Sequence, residues 1–140
     1  MGRNVNNKVA ITDFRGQVLQ DAPHIVRVVR YFRSYASYDQ VSPHGGMTAI
    51  CELDYGKMEL RVYPTWCAKD DNFSKELGKA NAAKSFENNM GFKVPLDRGD
   101  TIFGNIMRGV ENETLVWTCD DTKRVANGPF MRWYRDNECA

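Results

Sequence analysis

Apolar and polar positions between residues 25 and 35 can be read with two periods. Ile25, Val28, Val29 and Phe32 fall on a helical stripe with Asp21 as its cap, whereas Val26, Val28, Arg30 and Phe32 alternate with Arg27, Val29, Tyr31 and Arg33. The density of β-branched and aromatic residues favours a twisted strand. Residues 47–53 and 58–66 form two further strand patterns, joined at Asp54-Tyr55-Gly56-Lys57, the strongest hairpin signal in the chain. The three strands together predict an antiparallel meander. Between the first two, residues 34–46 are polar and tyrosine-bearing and close on Pro43-His44-Gly45-Gly46, the chemistry of a surface loop that can face a ligand.

Residues 72–90 predict the main helix, with Asp70, Asp71 and Asn72 offering cap oxygens and Phe73, Leu77, Ala80, Ala83, Phe86 and Met90 forming an apolar face to lie on the sheet. Gly78 permits close approach to the strands, and Gly91 sits where a left-handed terminating residue is expected. Beyond it, the pattern predicts a short helix at 102–108 capped by Asp100, and a strand at 115–119 pairing with 130–134. A first strand and hairpin are expected at 8–12, before Arg15-Gly16. The fold class is therefore α+β: an antiparallel meander, one main helix on a face, and a smaller C-terminal helix and hairpin. With no repeat or linker, residues 1–140 read as one domain.

Composition narrows the classes of function. Apolar residues at 42% and charged residues at 26% place the chain among folding globular domains rather than disordered ones. A net charge of +1 leaves no global field to draw in nucleic acid. Apolar stretches such as 25–32 are interrupted by arginine, so no membrane span or signal core is expected and the location is read as cytoplasmic. The four cysteines lie far apart without a CxxC pair, and His24 and His44 are the only histidines, so free thiols and no metal or cofactor are expected.

Catalytic chemistry finds little support. His44 in its glycine loop reads as solvated, and Glu52, Asp54 and Glu59 read as carboxylates of an ordinary solvated hairpin. No catalytic residues are assigned. Arginine is the better lead, because its planar fork suits phosphate. On a strand, Arg27 and Arg33 share a face with Val29 and Tyr31 while Arg30 points to the other side; either secondary structure gathers positive charge locally.

One block carries a resemblance: the 58–66 strand, then Cys67-Ala68-Lys69-Asp70-Asp71-Asn72-Phe73-Ser74-Lys75, then Gly78 and an alanine-bearing helix. This order of sheet, Lys-Asp-x-x-Phe junction and helix, over roughly a third of the chain, is similar to the type 1 Thoeris anti-defence proteins, small phage-encoded proteins that sequester cyclic nucleotide immune signals. The sequence departs from that family's more basic helix start in reading Lys79-Ala80-Asn81 after Gly78, and the last roughly fifty residues carry none of the likeness. The resemblance implies a nucleotide held between subunits of a homo-oligomer in the host cytoplasm, with arginines on its phosphates and an aromatic face against its base.

On that expectation, residue type and placement make Arg27, Arg30 and Arg108 candidates for phosphate, Phe86 for stacking, and Asn88 and Asn89 for polar edges; no family motif assigns them. The expected function is counteraction of a host defence by sequestering a cyclic nucleotide or another phosphate-bearing molecule. Two alternatives stand beside it: a protein-binding inhibitor of a host defence enzyme, and a small enzyme acting on a nucleotide or its derivative.

Overall fold

The chain folds around a six-stranded sheet in which every neighbouring pair is antiparallel. The computed structural model describes residues 24–125. The elements are β1 (Ile25–Phe32), β2 (Tyr35–Ser37), β3 (Gln40–Val41), β4 (Met47–Asp54), β5 (Glu59–Trp66), α1 (Lys75–Glu87), β6 (Phe92–Pro95), α2 (Ile102–Glu111), β7 (Val116–Trp117) and β8 (Asp120–Arg124). Sheet order is β1-β4-β5-β6-β7-β8, with β2 and β3 forming a separate small hairpin. The expected α+β meander is present, and residues 25–32 are a strand. The sequence readings at 8–12 and 130–134 lie outside the described residues; β7 pairs with β8 at the far edge.

Strand alternation gives the sheet two different faces. Met47, Ala49 and Cys51 on β4, Leu60 and Val62 on β5, and Phe92 and Val94 on β6 form the main core with Ile106 of α2, and Phe103, Met107 and Val110 pack against it. Burial pushes the Cys51 thiol up to about 12, an effect that Arg30 only partly opposes, so this thiol is unreactive in the fold. On the opposite face, Ile50, Tyr63, Ala82 and Phe86 make a smaller core beneath α1.

Helix α1 is shorter than the pattern predicts, and its packing face is rotated from the predicted stripe: Phe86 and Ala83 of that stripe meet the core, whereas Leu77 and Met90 do not. Its cap is Ser74, whose hydroxyl accepts the Leu77 N–H at 3.1 Å, while the Asp71 carbonyl accepts from Gly45 and Asn72 forms an isolated antiparallel bridge with His44. Leu77 and Met90 are 62% and 63% exposed, and the buried residues are Ala82 and Phe86. The packing line runs Gly78-Ala82-Phe86, at intervals of four. A Cβ on Gly78 would overlap the Thr48 hydroxyl, so small residues set the helix close to the sheet, and the longer Leu77 is turned outward.

Helix ends depart from expectation in two further places. Asn89, with φ 53°, takes the left-handed position assigned to Gly91, after an Asn88 cap. Gly91 is required for a different reason: a Cβ there would overlap the carbonyl oxygen of Val62. Helix α2 is capped by Thr101, which accepts the Gly104 N–H at 2.9 Å, whereas Asp100 accepts from the Thr101 N–H and from Arg108. The hairpin between β4 and β5 is closed by Asp54, whose Oδ1 accepts the Gly56 and Lys57 N–H groups at 3.0 Å each.

Gly91→Ala is expected to lower stability by ~2 kcal/mol, because a backbone carbonyl cannot swing aside. Gly99→Ala, whose Cβ would meet only the Asp97 carboxylate at 3.4 Å, is expected to stay within about 0.5 kcal/mol of the parent. Urea unfolding of the two variants checks the contrast.

Candidate functional site

Register lines up residues of the α1 face in rungs across the strands. Tyr31, Thr48 and Thr65 form one rung, Val29, Ile50 and Tyr63 the next, and Arg27, Glu52, Arg61 and Lys93 the third, one residue from each of β1, β4, β5 and β6. Helix α1 covers the second rung with Ala82 and Phe86. Past Phe86 the face changes from apolar to ionic.

Glu52 is the centre of the ionic rung. Its residue is 2% exposed, yet one carboxylate oxygen accepts from Nε and Nη2 of Arg27 at 3.0 and 2.6 Å, and the other accepts from Nε of Arg61 at 3.0 Å. Burial alone would raise its pKa, but the hydrogen bonds and charges of Arg27 and Arg61 outweigh burial and hold the carboxyl below its ordinary value. Asp54 is lowered in the same way, burial being outweighed by the turn N–H groups and Arg61. Burial would likewise disfavour a charged Arg61, but its carboxylate partners raise its pKa above the ordinary guanidinium value. Arg61 Nη1 donates to Asp54 at 3.0 Å and to Glu59 at 2.6 Å, and Nη2 makes no hydrogen bond among the described residues.

Lys93 ends the row. It pairs with Glu59 at 3.6 Å and with Asp121 of β8 at 2.7 Å; the hydrogen bond to Asp121, more than the charge of Glu59, raises its pKa and keeps it charged. At the other end, the Arg27 guanidinium lies 4.6 Å from the centroid of the Phe86 ring, a cation–π contact that joins the ionic rung to the apolar core. The rung borders a concavity of about 620 Å³, with Arg27, Lys57, Arg61 and Lys93 facing Glu52, Asp54 and Glu59, and with Asn89 and Thr118 on its wall. Its lining sets four cations against three carboxylates, and the exposed Asp121 paired with Lys93 brings the local charge to balance.

The residues singled out in the sequence are divided between the two faces. Arg27, Phe86 and Asn89 come together here; Asn88 is exposed as the cap of α1 beside them. Arg30 points to the other face, near Phe103, as strand alternation requires. Arg108 lies on α2, paired with Asp100 and Asp97 and donating to Asn105, so neither it nor Arg30 joins Arg27 in this concavity. Sequence reasoning missed Arg61 and Lys93 and read Glu52 as solvated. Their signal is the alternation within β4 and β5 combined with the register of three pairings, which no single strand carries.

Among the described residues, no group of three or more histidine, cysteine, aspartate or glutamate side chains is placed to hold a metal ion, and no helix is long and apolar enough to cross a membrane. No family model, curated protein or solved structure matches the chain.

Glu52→Gln is expected to lower stability at neutral pH by ~3–5 kcal/mol, since it leaves two largely buried guanidiniums without their charge partner. In the parent, the depressed carboxyls contribute stability that is fully present above the ordinary glutamate value of 4.5 and is lost as pH falls through the lower folded-state values. Urea unfolding from neutral to acid pH is expected to show that loss in the parent and a shallower one in Glu52→Gln.

Proposed function

We propose that the chain is a non-catalytic binding protein for a small phosphate-bearing ligand, taken up at the concavity beside Arg27, Arg61 and Lys93. The observation that carries this reading is the row of three cations fixed at one wall of a ligand-sized hollow, with Arg27 braced on Phe86 and the Asn89 position on the rim. An incoming phosphate finds the remaining Nη2 of Arg61 and the ammonium of Lys93. The Lys93 partner Asp121 is 70% exposed, and such an ion pair contributes little in water, so an anion can displace it. Fixed guanidiniums reduce the ordering cost of recognition.

The same geometry argues for binding over turnover. Asp54 and Glu59 both accept from Arg61, and Glu52 and Asp54 are held below their ordinary carboxyl values by their arginine partners, so neither of those two is disposed as a proton donor at neutral pH. The likeness of the 58–75 junction to the phage anti-defence proteins gives the reading its most concrete form: sequestration of a cyclic nucleotide signal. A second reading, inhibition of a host protein by direct contact, draws on the β2–β3 hairpin, where Tyr38 is fully exposed and Tyr35 and Val41 are somewhat under half exposed.

Native mass spectrometry of protein purified from cells with active nucleotide-based immunity tests the proposal. An intact nucleotide is expected to be released on denaturation, with its occupancy reduced at least about tenfold in Lys93→Glu. A chemically altered nucleotide would favour the enzyme, and a co-purifying host protein without a nucleotide would replace sequestration by the inhibitor reading.

A further inference from the structure

At the opposite end of α1 from the ionic rung, a second pocket of about 160 Å³ opens between the first two turns of the helix and strands β4 and β5. Thr48 and Thr65, partners in the sheet register, form its floor, and Gly78 and Asn81 of α1 lie over them. Leu77, 62% exposed, stands at the mouth. The helix reaches this close to the floor because residue 78 has no side chain.

The polar groups in this pocket have an unusual status. Thr48 is buried, Thr65 and Asn81 are half-buried, and neither threonine hydroxyl nor the Asn81 carboxamide has a hydrogen-bond partner among the described residues. Three polar side chains on one hollow that are not committed to the protein are open to a ligand that pairs with them. The Cys67 thiol in the wall is not one of these groups: its sulfur lies 3.4–3.6 Å from the carbonyl oxygens of Ala68, Asp71 and Asn72, so its S–H is turned toward the backbone.

We infer that this pocket is a second binding site, for a flat single-ring heterocycle with adjacent hydrogen-bond donor and acceptor, of which a pyrimidine base is the type. Size sets the ring count, because a cavity of ~150 Å³ accommodates one benzene-sized ring. Chemistry sets the edge. Two hydroxyls can each donate and accept, and the Asn81 carboxamide supplies one donor group and one acceptor. The Asp71 carboxylate, also on the wall, accepts only, and so favours a ring bearing an exocyclic amino group. The site lies two rungs from Glu52 and does not depend on the ligand proposed for the ionic concavity.

Titration with cytosine, followed by ligand-observed and amide-detected nuclear magnetic resonance, tests the inference. Saturable binding is expected, with shifts at Thr48, Thr65 and Asn81, about tenfold weaker binding in Thr48→Val, and none in Leu77→Trp, which closes the mouth from an exposed position. Thr48→Val is expected to keep the parent melting temperature, since it removes an unpaired hydroxyl at nearly constant volume. Lys93→Glu is expected to bind cytosine like the parent, which separates this site from the ionic one. Absence of saturable binding, or binding that survives intact in folded Leu77→Trp, would overturn the inference and leave the pocket to water.

Discussion

A carboxylate buried in the middle of a sheet, between two guanidiniums on neighbouring strands, is the interaction on which the rest of the structure depends. Glu52 meets Arg27 across β1 and Arg61 across β5 only in the observed register. A slip of one residue would turn it to the face where Cys51 and Leu53 now pack against α2, leaving a charge in an apolar core and two arginines without a partner. The ion triad therefore specifies register as well as contributing energy.

That constraint also determines where helix α1 rests. The ionic rung cannot be covered by apolar side chains, so α1 lies over the rungs before it, and Phe86 marks the boundary, with its ring against Tyr63 on one side and the Arg27 guanidinium on the other. Both hollows on this face follow from that placement. The ionic concavity lies beyond the covered rung, and the small polar pocket lies where Gly78 brings the first turns of the helix over Thr48 and Thr65. Function, on the reading proposed above, is located at the two ends of one short helix.

Much of the fold was legible because local signals agreed with one another. The Asp54-Tyr55-Gly56-Lys57 turn, the β-branched run of β1 and the amphipathic stripe of α2 each carry a period that their neighbours reinforce. Helix α1 misled the periodicity argument for a physical reason. It packs through Gly78, Ala82 and Phe86, two of which are too small to register as hydrophobic, while the conspicuous Leu77 and Met90 face outward. Its existence was plain, and its orientation was not. The site was legible only in part, since the alternation of β1 separated Arg27 from Arg30, but the meeting of Glu52 with Arg61 and Lys93 needs the sheet register, which is a property of the assembled strands.

The most direct measurement is a carbon-13 pH titration of the Glu52 side-chain carboxyl in the folded protein. The resonance is expected to remain that of a carboxylate as pH falls through 4.5, and to change only at lower pH, together with the onset of unfolding. A Glu52 carboxyl that titrated at or above 4.5 in a fully folded protein would mean that the two arginines do not hold its charge, and would contradict the triad as the organising contact of the sheet.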